Sequence, residues 1–303
     1  MMSHTPVSII IPAHNEEAVI HRGLDALLDD ARPGEVEIVV ACNGCTDRTA
    51  AIARAYGEPV RVVETDTASK VAALNLGDEA ASSYPRFYVD ADVVLPLDAV
   101  RRIAAVLRDG QALAACPTMR MDFAGASVAV RAYYRVWQAL PYTKAGLMGT
   151  GVYALSEAGR RRFDRFPDVI ADDGYVRLLF AEDERQAVAG AASTVTAPAT
   201  LADLVRIKTR SRYGIYQLRQ RYPELARREA KGKQYGGGLR DVLREVTLWP
   251  ALPVYLWVSF ASRWRARRQM GRQAYRWERD ESSRTPVEAT AGAVSRRRLG
   301  DEA

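Results

Sequence analysis

The sequence predicts an α/β fold, a doubly wound and mostly parallel sheet with helices on both faces, followed by a helical C-terminal extension. Short runs of Val, Ile and Ala alternate along residues 7–109 with segments whose apolar residues recur at helical spacing. The strand-like runs are almost continuously apolar, which is typical of strands buried on both faces. Charge also divides the chain, because residues 1–199 hold 20 basic and 26 acidic residues whereas residues 200–303 hold 23 and 11.

The composition is that of a globular protein of 303 residues, with 48% hydrophobic and 26% charged residues. It excludes a collagen-like or wholly disordered chain, and the length allows one large domain or two ordinary ones. Three cysteines, an odd number, argue against a disulfide framework and favour a reducing compartment. Only three histidines occur, all near the N-terminus, which argues against a His-rich catalytic metal site.

The first four predicted strands are apolar runs at residues 7–12, 35–41, 60–64 and 86–89. Helices follow them at residues 17–30, 47–56, 69–81 and 96–109. The first helix carries Ile20, Leu24 and Leu27 at helical spacing behind Asn15 as N-cap. The second is rich in Ala and ends before Gly57, and Pro96 opens the fourth, where the missing N–H of proline costs nothing.

After Leu113 the periodicity is weaker. It predicts a helix at residues 128–140, a strand at 149–155, a capped helix at 156–162 and a basic helix at 201–222. Residues 281–303 lack periodic apolar positions, so we expect them to form a disordered tail.

Polar residues follow each predicted strand, and sheets of this kind bind ligands beyond the carboxyl ends of their strands. Asp90 and Asp92 stand two residues apart just after the fourth strand. Mg²⁺ and Mn²⁺ favour one or two carboxylates together with the oxygens of a substrate phosphate, so the pair is a candidate metal site. A solvated turn is the alternative, because Asp is common after strands.

Four segments resemble, in order and spacing, the motifs of the family 2 glycosyltransferases. They are IIIPAHNEE at residues 9–17, EIVVACNGCTDRT at 37–49, SKVAALNLG at 69–77 and DAD at 90–92. The resemblance covers residues 6–215 and implies the GT-A fold and an inverting enzyme that uses a nucleotide diphosphate sugar. It implies that Asp90 and Asp92 approach the ribose, the diphosphate and a Mg²⁺ or Mn²⁺ ion, with Asp92 as the direct metal ligand.

The same resemblance implies a donor site that binds the nucleotide sugar. Its implied members in the first half of the chain are Pro12, Ala13, His14, Glu16, Asn43, Lys70 and Asp90. Asn43 stands where the family usually has an acidic residue, and only its amide oxygen can accept a hydrogen bond from the base. A UDP-sugar is favoured, and the choice between uracil and guanine stays open.

In the second half, the resemblance implies that Asp173 of the Asp172–Asp173 pair is the general base that takes the proton of the acceptor. A helix N-cap is the alternative for this pair. Gly149, Thr150 and Gly151 match the family's loop of small residues, which lets the backbone approach the donor sugar. Arg212 lies where processive relatives have Gln-x-x-Arg-Trp; it would clamp the diphosphate, or belong to a solvated basic helix face, and the imperfect match argues against processive synthesis.

Residues 246–262 form an uncharged stretch of 17 residues, which is the lower edge of what spans a bilayer. A membrane span, an interfacial segment and a buried helix remain open. Trp and Tyr residues in this region are followed directly by arginines, which suits the cytoplasmic face of the cell membrane with its anionic lipids. Stacking on single-stranded nucleic acid is the alternative, but no nucleic-acid-binding motif accompanies it, and we expect no nucleic acid partner.

The sequence therefore predicts a catalytic domain at residues 1–222, with a nucleotide-sugar half at 1–115 and an acceptor half at 116–222. A membrane-proximal extension follows at 223–280. The expected activity is transfer to a hydroxyl of a carbohydrate or lipid-linked acceptor in cell-surface polysaccharide or glycolipid synthesis, with a polyprenyl-phosphate acceptor as the alternative.

The sequence argues against three other classes of protein. A nucleotidyltransferase would be expected to carry a glycine-rich basic loop after the first strand, but residues 13–17 are acidic and lack glycine. A non-catalytic membrane scaffold would be expected to lack the metal carboxylates. The Cys42–Cys45 pair has redox or zinc spacing, but no second pair accompanies it, and two small residues in a turn are the simpler interpretation.

Overall fold

The computed structural model describes residues 6–140, 143, 150–232 and 242–271, and within them it confirms the predicted fold class. The sheet has eight strands in the order β3-β2-β1-β4-β7-β6-β8-β5. The strands are β1 Val7–Ala13, β2 Val36–Asn43, β3 Val60–Thr65, β4 Arg86–Val89, β5 Val93–Val94, β6 Ala114–Asp122, β7 Val152–Leu155 and β8 Arg185–Thr196. β1 to β4 pair in parallel, β6 and β8 run in the same direction, and β7 and β5 run against them, so the sheet is mixed.

Helices cover both faces of the sheet. They are α1 Ile20–Leu28, α2 Thr49–Arg54, α3 Lys70–Ala80, α4 Leu97–Arg108, α5 Val128–Ala139, α6 Glu157–Arg160, α7 Asp172–Leu178, α8 Leu201–Arg221, α9 Pro223–Gly232 and α10 Leu252–Gly271. Ile9 and Phe87 pack with α1, α2 and α4 on one face, whereas Ile10 and Tyr88 pack with α3 and α7 on the other. Burial on both faces explains why the strands read as continuous apolar runs.

Helix α3 lies unusually close to the sheet, and this closeness positions its first residue. A Cβ at Gly77 would lie only 2.6 Å from Cγ2 of Ile10. At the other end, the Ser69 side chain caps the helix by accepting a hydrogen bond from the backbone N–H of Ala72. Lys70 therefore begins a helix that is fixed both by its cap and by close packing on β1.

Two long strands and one helix start differ from the sequence prediction. β6 and β8 were not predicted, because the two strands together hold only two Val and no Ile, Phe, Tyr or Trp, and because β6 is irregular between Cys116 and Thr118. Helix α1 begins at Ile20 with Val19 at its N-cap position, so the predicted N-cap at Asn15 is wrong. Asn15 has a φ of 52° and turns the chain before the helix begins.

The C-terminal part of the described chain is helical, as predicted. A 3-10 turn at Val246–Ala251 leads into α10, which packs against α5 and α8. Across the described ranges, no helix is both long and apolar enough to cross a membrane. Residues 233–241 of the predicted extension, residues 272–280 and the predicted tail at 281–303 lie outside the described residues.

Candidate active site

The carboxyl ends of β1 and β2 are joined by side-chain hydrogen bonds. Asn43 is buried and donates its side-chain N–H to the carbonyl of Ala13 over 2.9 Å. His14 Nδ1 lies 2.5 Å from the carbonyl oxygen of Asn43. Ala13, His14 and Asn43, three predicted donor-site residues, thus form one wall at the edge of the sheet. The amide group of Asn43 serves at least partly to hold that wall together.

The loops that follow β1 and β2 are also cross-linked. The Asn15 side chain accepts from the backbone N–H of Thr46 over 2.7 Å, and the N–H of Glu16 donates to Thr49 Oγ1 over 2.7 Å. Glu16 is itself buried. The predicted nucleoside-binding residues therefore lie on a loop whose backbone is held at two points.

The cysteine pair gives no support to redox chemistry. Cys42 and Cys45 are both free thiols, and Cys42 is buried in the core beneath the loop. Burial, with a smaller effect of Cys45, raises the pKa of Cys42 to about 12. A thiol with such a pKa is almost fully protonated at neutral pH, whereas redox cysteines need an accessible thiolate.

Lys70 is the centre of the site, because it contacts carboxylates from both halves of the chain. Its Nζ lies 2.7 Å from Oδ1 of Asp90 and 3.1 Å from Oδ1 of Asp172. The Lys70 side chain is 27% exposed and that of Asp172 only 4%. Burial lowers the pKa of Lys70, but the charges of Asp172 and Asp90 outweigh burial and raise that pKa above its usual value. Lys70 is therefore a fixed positive charge between the two halves.

The carboxyl group of Asp172 has a raised pKa and one buried oxygen without a hydrogen-bond partner among the described residues. Burial raises the pKa of Asp172 to about 6, although Lys70 acts in the opposite direction. Its Oδ2 and the hydroxyl of Tyr153 are buried and have no hydrogen-bond partner among the described residues. Buried polar atoms normally have partners, so two such atoms in one place mark a site where a ligand or water would complete the hydrogen bonding.

Both atoms belong to residues of one small pocket. It is lined by Pro12, Lys70, Leu74, Tyr88, Val89, Asp90, Gly151, Tyr153, Asp172 and Asp173. The predicted donor-site residues Pro12, Lys70 and Asp90 thus meet the predicted base Asp173 in a single cleft.

Asp173 lies in the first turn of α7 and is only partly buried. Its Oδ1 accepts a hydrogen bond of 2.6 Å from the backbone N–H of Gly174. The N-cap position of this helix is Ala171, so neither Asp172 nor Asp173 caps it through its side chain. The N-cap alternative for the acidic pair is therefore wrong, and both carboxylates are directed to other partners.

Gly151, the last residue of the predicted small-residue loop, is a close neighbour of Asp90. Its carbonyl accepts from the N–H of Asp90 over 2.8 Å. Its φ is 83°, and a Cβ there would lie 2.6 Å from Cγ2 of Val93 and 3.4 Å from Oδ2 of Asp90. Only glycine fits this position without strain. Gly149, the predicted donor-loop residue, lies outside the described residues.

Arg212 is not among the described residues that line this pocket. It lies on α8, where Gly214 packs so closely on Ala171 that a Cβ would come within 2.8 Å of the Ala171 Cβ. Residues two apart on a helix do not share a face, so Arg212 points away from Ala171. It lies instead near Lys208, one turn earlier, whose pKa its charge helps to lower.

The residues present fit a divalent cation that arrives with a diphosphate. Asp90 and Asp92 belong to a tight turn after β4, in which the N–H of Val93 donates to the carbonyl of Asp90 over 3.0 Å. No group of three or more His, Cys, Asp or Glu suited to metal binding occurs within the described ranges. Two carboxylates nevertheless suffice for Mg²⁺ or Mn²⁺ when phosphate oxygens and water complete the coordination.

Comparison with known proteins gives a family match. Residues 8–161, just over half of the chain, match the sequence profile described as Glycosyl transferase family 2. The 4,4'-diaponeurosporenoate glycosyltransferase of Staphylococcus aureus (strain USA300) is 38% identical over 106 residues, which are 33% of this chain and 28% of that protein. The match thus spans less than a third of the length of that relative.

Two solved glycosyltransferases have a similar fold. The mannosyltransferase of Pyrobaculum calidifontis, in complex with GDP-Man and Mn²⁺, gives a TM-score of 0.58 with 22% identity over 88% of this chain and 79% of that chain. Glucosyl-3-phosphoglycerate synthase of Mycobacterium tuberculosis, in complex with Mn²⁺, UDP-Glc and phosphoglyceric acid, gives 0.51 with 22% identity over 71% and 79%. These likenesses concern the fold.

Proposed function

The chain belongs to glycosyl transferase family 2, and from this premise we propose that it moves a sugar, with inversion, from a nucleoside diphosphate sugar to a hydroxyl acceptor. A UDP-sugar is the favoured donor, and the acceptor is a carbohydrate or a lipid-linked glycan of the cell surface. The observation that carries this proposal is the position of Lys70 between Asp90 of the first half and Asp172 of the second.

The donor would lie along the wall formed by the ends of β1 and β2, with its diphosphate near Lys70. Residues 12–16 and Asn43 supply that wall, and Lys70 supplies a positive charge that the neighbouring carboxylates keep protonated. Asp92 and Asp90 would hold Mg²⁺ or Mn²⁺. When bound, such an ion neutralises negative charge on the leaving diphosphate. Arg212 remains a predicted donor-site residue on the resemblance alone.

Asp173 is the proposed general base. It would accept the proton of the acceptor hydroxyl while that oxygen forms the new bond to the anomeric carbon. The bond from sugar to diphosphate breaks on the opposite side, and the diphosphate leaves with the electron pair. Asp172, buried against Lys70, would position this end of α7 rather than react, because its Oδ1 already contacts the ammonium group.

The substitution Asp173→Asn tests this assignment. It should lower turnover by about 10²–10⁴-fold, the usual contribution of a general base, while UDP binding with Mn²⁺ is unchanged. Asp168→Asn, an exposed carboxylate in the segment before α7, is the matched control and should behave as wild type. Full turnover in Asp173→Asn would remove Asp173 from the mechanism.

The donor is tested by thermal unfolding with UDP, GDP, CMP and ATP, each with Mn²⁺ and with EDTA. A nucleotide present at about 100 times its Kd should add roughly 2.7 kcal/mol to the free energy of unfolding. UDP and GDP are the principal pair, since the solved proteins of similar fold hold one or the other. A metal-dependent rise of Tm with UDP alone supports the proposal, and no rise with any nucleotide would refute it.

We also propose that α10 binds the anionic cytoplasmic surface of a membrane. Four apolar residues recur on one side of this helix and are between 53% and 70% exposed: Leu256, Trp257, Phe260 and Trp264. Arg263, Arg267 and Arg268 continue the same exposed side one turn later. Exposed aromatics beside arginines suit the boundary between lipid and water.

Vesicle sedimentation tests this surface. The double variant Phe260→Ser/Trp264→Ser should bind vesicles of phosphatidylcholine with phosphatidylglycerol at least about tenfold more weakly, since each lost side chain forgoes ~1.5–3 kcal/mol of burial. Val128→Ser, which changes an apolar residue 83% exposed on α5, is the control. Equal binding by the double variant and wild type would contradict the proposal.

A further inference from the structure

Lys208 on α8 lies inside a group of three aromatic rings from α5. Its Nζ is 5.4 Å from the ring centre of Tyr133, 5.2 Å from that of Tyr134 and 4.8 Å from that of Trp137. Ammonium groups within about 6 Å of a ring centre are attracted to the face of the ring. The three rings therefore hold the Lys208 side chain in one place, and we call this group the lysine cage.

The charge of the lysine cage is not neutralised by the protein within the described ranges. No carboxylate there lies within 4.0 Å of Lys208 Nζ, whereas Lys70 has two. Arg212 follows one helical turn later on the same side of α8. Burial, together with the charge of Arg212, lowers the pKa of Lys208 to about 8. Two partly buried cations side by side favour an anion that would relieve their repulsion.

The position of the lysine cage relates it to the candidate active site. Since β6 runs in the same direction as β4, its end at Asp122 lies on the same edge of the sheet as Asp90. Helix α5, which carries the three rings, begins shortly after that strand end at Val128. Along α8, Gly214, which touches Ala171 beside the acidic pair, is about 9 Å further than Lys208 at the usual helical rise.

The lysine cage also adjoins the helix proposed to meet the membrane. The ring of Tyr133 stacks on that of Tyr255 in α10 at 5.3 Å between centres. Val258 of α10 is buried in the same apolar cluster as Tyr133 and Tyr134. The lysine cage therefore packs on the buried side of α10, the same helix whose exposed side is proposed to bind the membrane.

We propose that Lys208 and Arg212 bind a phosphate group of the acceptor, separate from the diphosphate of the donor, and that this role replaces the donor-site role that the resemblance implies for Arg212. The inference rests on the proposed function and specifies it further, since it makes the acceptor a phosphorylated amphiphile rather than a neutral sugar. The aromatic rings would contact the carbon atoms next to the phosphate, and the ammonium and guanidinium groups would bind its oxygens.

The test compares Lys208→Gln with wild type in the full chain, using two probes. Octyl phosphate below its micelle concentration, with EDTA present, reports the acceptor phosphate, and UDP with Mn²⁺ reports the donor diphosphate. Titration calorimetry should show octyl phosphate bound about tenfold or more weakly by Lys208→Gln, the usual loss of one charge-assisted hydrogen bond, and UDP bound equally well.

Two further variants make the comparison specific. Lys208→Arg should retain octyl phosphate binding, because it keeps the positive charge. Arg219→Gln removes one charge from an exposed position about 16 Å further along α8 and should behave as wild type. Unchanged UDP binding in Lys208→Gln also shows that this variant is folded.

Two results would overturn the inference. The first is octyl phosphate binding that is equal in wild type and Lys208→Gln, or that is undetectable in wild type. The second is an equal loss of UDP binding in Lys208→Gln, which would assign the pair to the donor diphosphate. A wild-type protein that binds no nucleotide with Mn²⁺ would instead refute the proposed function.

Discussion

Removal of the Lys70 charge tests the electrostatics of the candidate site. Lys70→Met keeps most of the apolar stem and removes the ammonium group that lies 3.1 Å from Oδ1 of Asp172. Asp172, 4% exposed, would then be a buried carboxylate without its nearest cation. An isolated buried charge is far costlier than a neutral acid, so Asp172 should hold its proton to a higher pH in the variant than in wild type.

The size of the effect follows from the pKa of Asp172, which is about 6 while Lys70 is present. A carboxyl group whose folded pKa lies above its unfolded value of about 3.9 holds a proton that the unfolded chain has released. The free energy of unfolding therefore falls as pH rises between those two values. In wild type the free energy of unfolding stops falling near pH 6, where Asp172 loses its proton. In Lys70→Met, where Asp172 keeps its proton to a higher pH, the free energy of unfolding continues to fall above pH 6 by about 1.4 kcal/mol per pH unit. By pH 8 the variant should have lost up to roughly 3 kcal/mol more than wild type.

Urea unfolding in EDTA at pH 5, 6 and 8 measures this difference. Lys70→Met/Asp172→Asn should recover most of the loss at pH 8, because the double variant has no buried carboxylate at residue 172. Arg219→Met removes an exposed charge and should show no such pH dependence. A Lys70→Met loss that is the same at pH 5 and pH 8, or that simply adds to that of Asp172→Asn, would refute the reasoning.

Two glycines give further predictions. Gly151→Ala should cost about 2–5 kcal/mol, from strain at positive φ and from the contact with Val93, and should impair metal-dependent nucleotide binding by displacing Asp90. Gly125→Ala, at a φ of 77° with nothing within 4 Å of its Cβ, carries the backbone strain alone; equal urea stability of the two variants would exclude the contact effect. Gly214→Ala should push on Ala171 and lower kcat with little change in UDP affinity, whereas a matched loss of UDP binding would show a general structural effect.

The sequence predicted best the strands and helices whose own residues suffice to identify them. The apolar runs of β1 to β4 and the helices between them were predicted because each is recognisable from its own residues. Asp90 was expected at a strand exit for the same reason, and the structure has it at the end of β4. β6 and β8 escaped prediction because their stability comes from pairing with each other and not from β-forming side chains.

The side-chain contacts that form the site could not be predicted from the sequence in the same way. Lys70 and Asp172 are 102 positions apart, and no periodicity or spacing relates them. Likewise, the role of Gly151 depends on the position of Val93 and Asp90, which only the pairing of β4 with β7 decides. The resemblance placed Gly151 in a loop of small residues, but it could not say which atoms a side chain there would meet.

The sequence by itself determined the order of β1 to β4 and the helices between them, the carboxylates at the strand ends and the basic C-terminal third, because local propensity and burial pattern are properties of neighbouring residues. The tertiary structure alone decided which charges are paired. It surrounds Lys70 with carboxylates and Lys208 with aromatic rings, although both are lysines on helices. The physical reason is that the environment of a charge is set by whichever helices and strands the fold packs around it, and those come from distant parts of the chain.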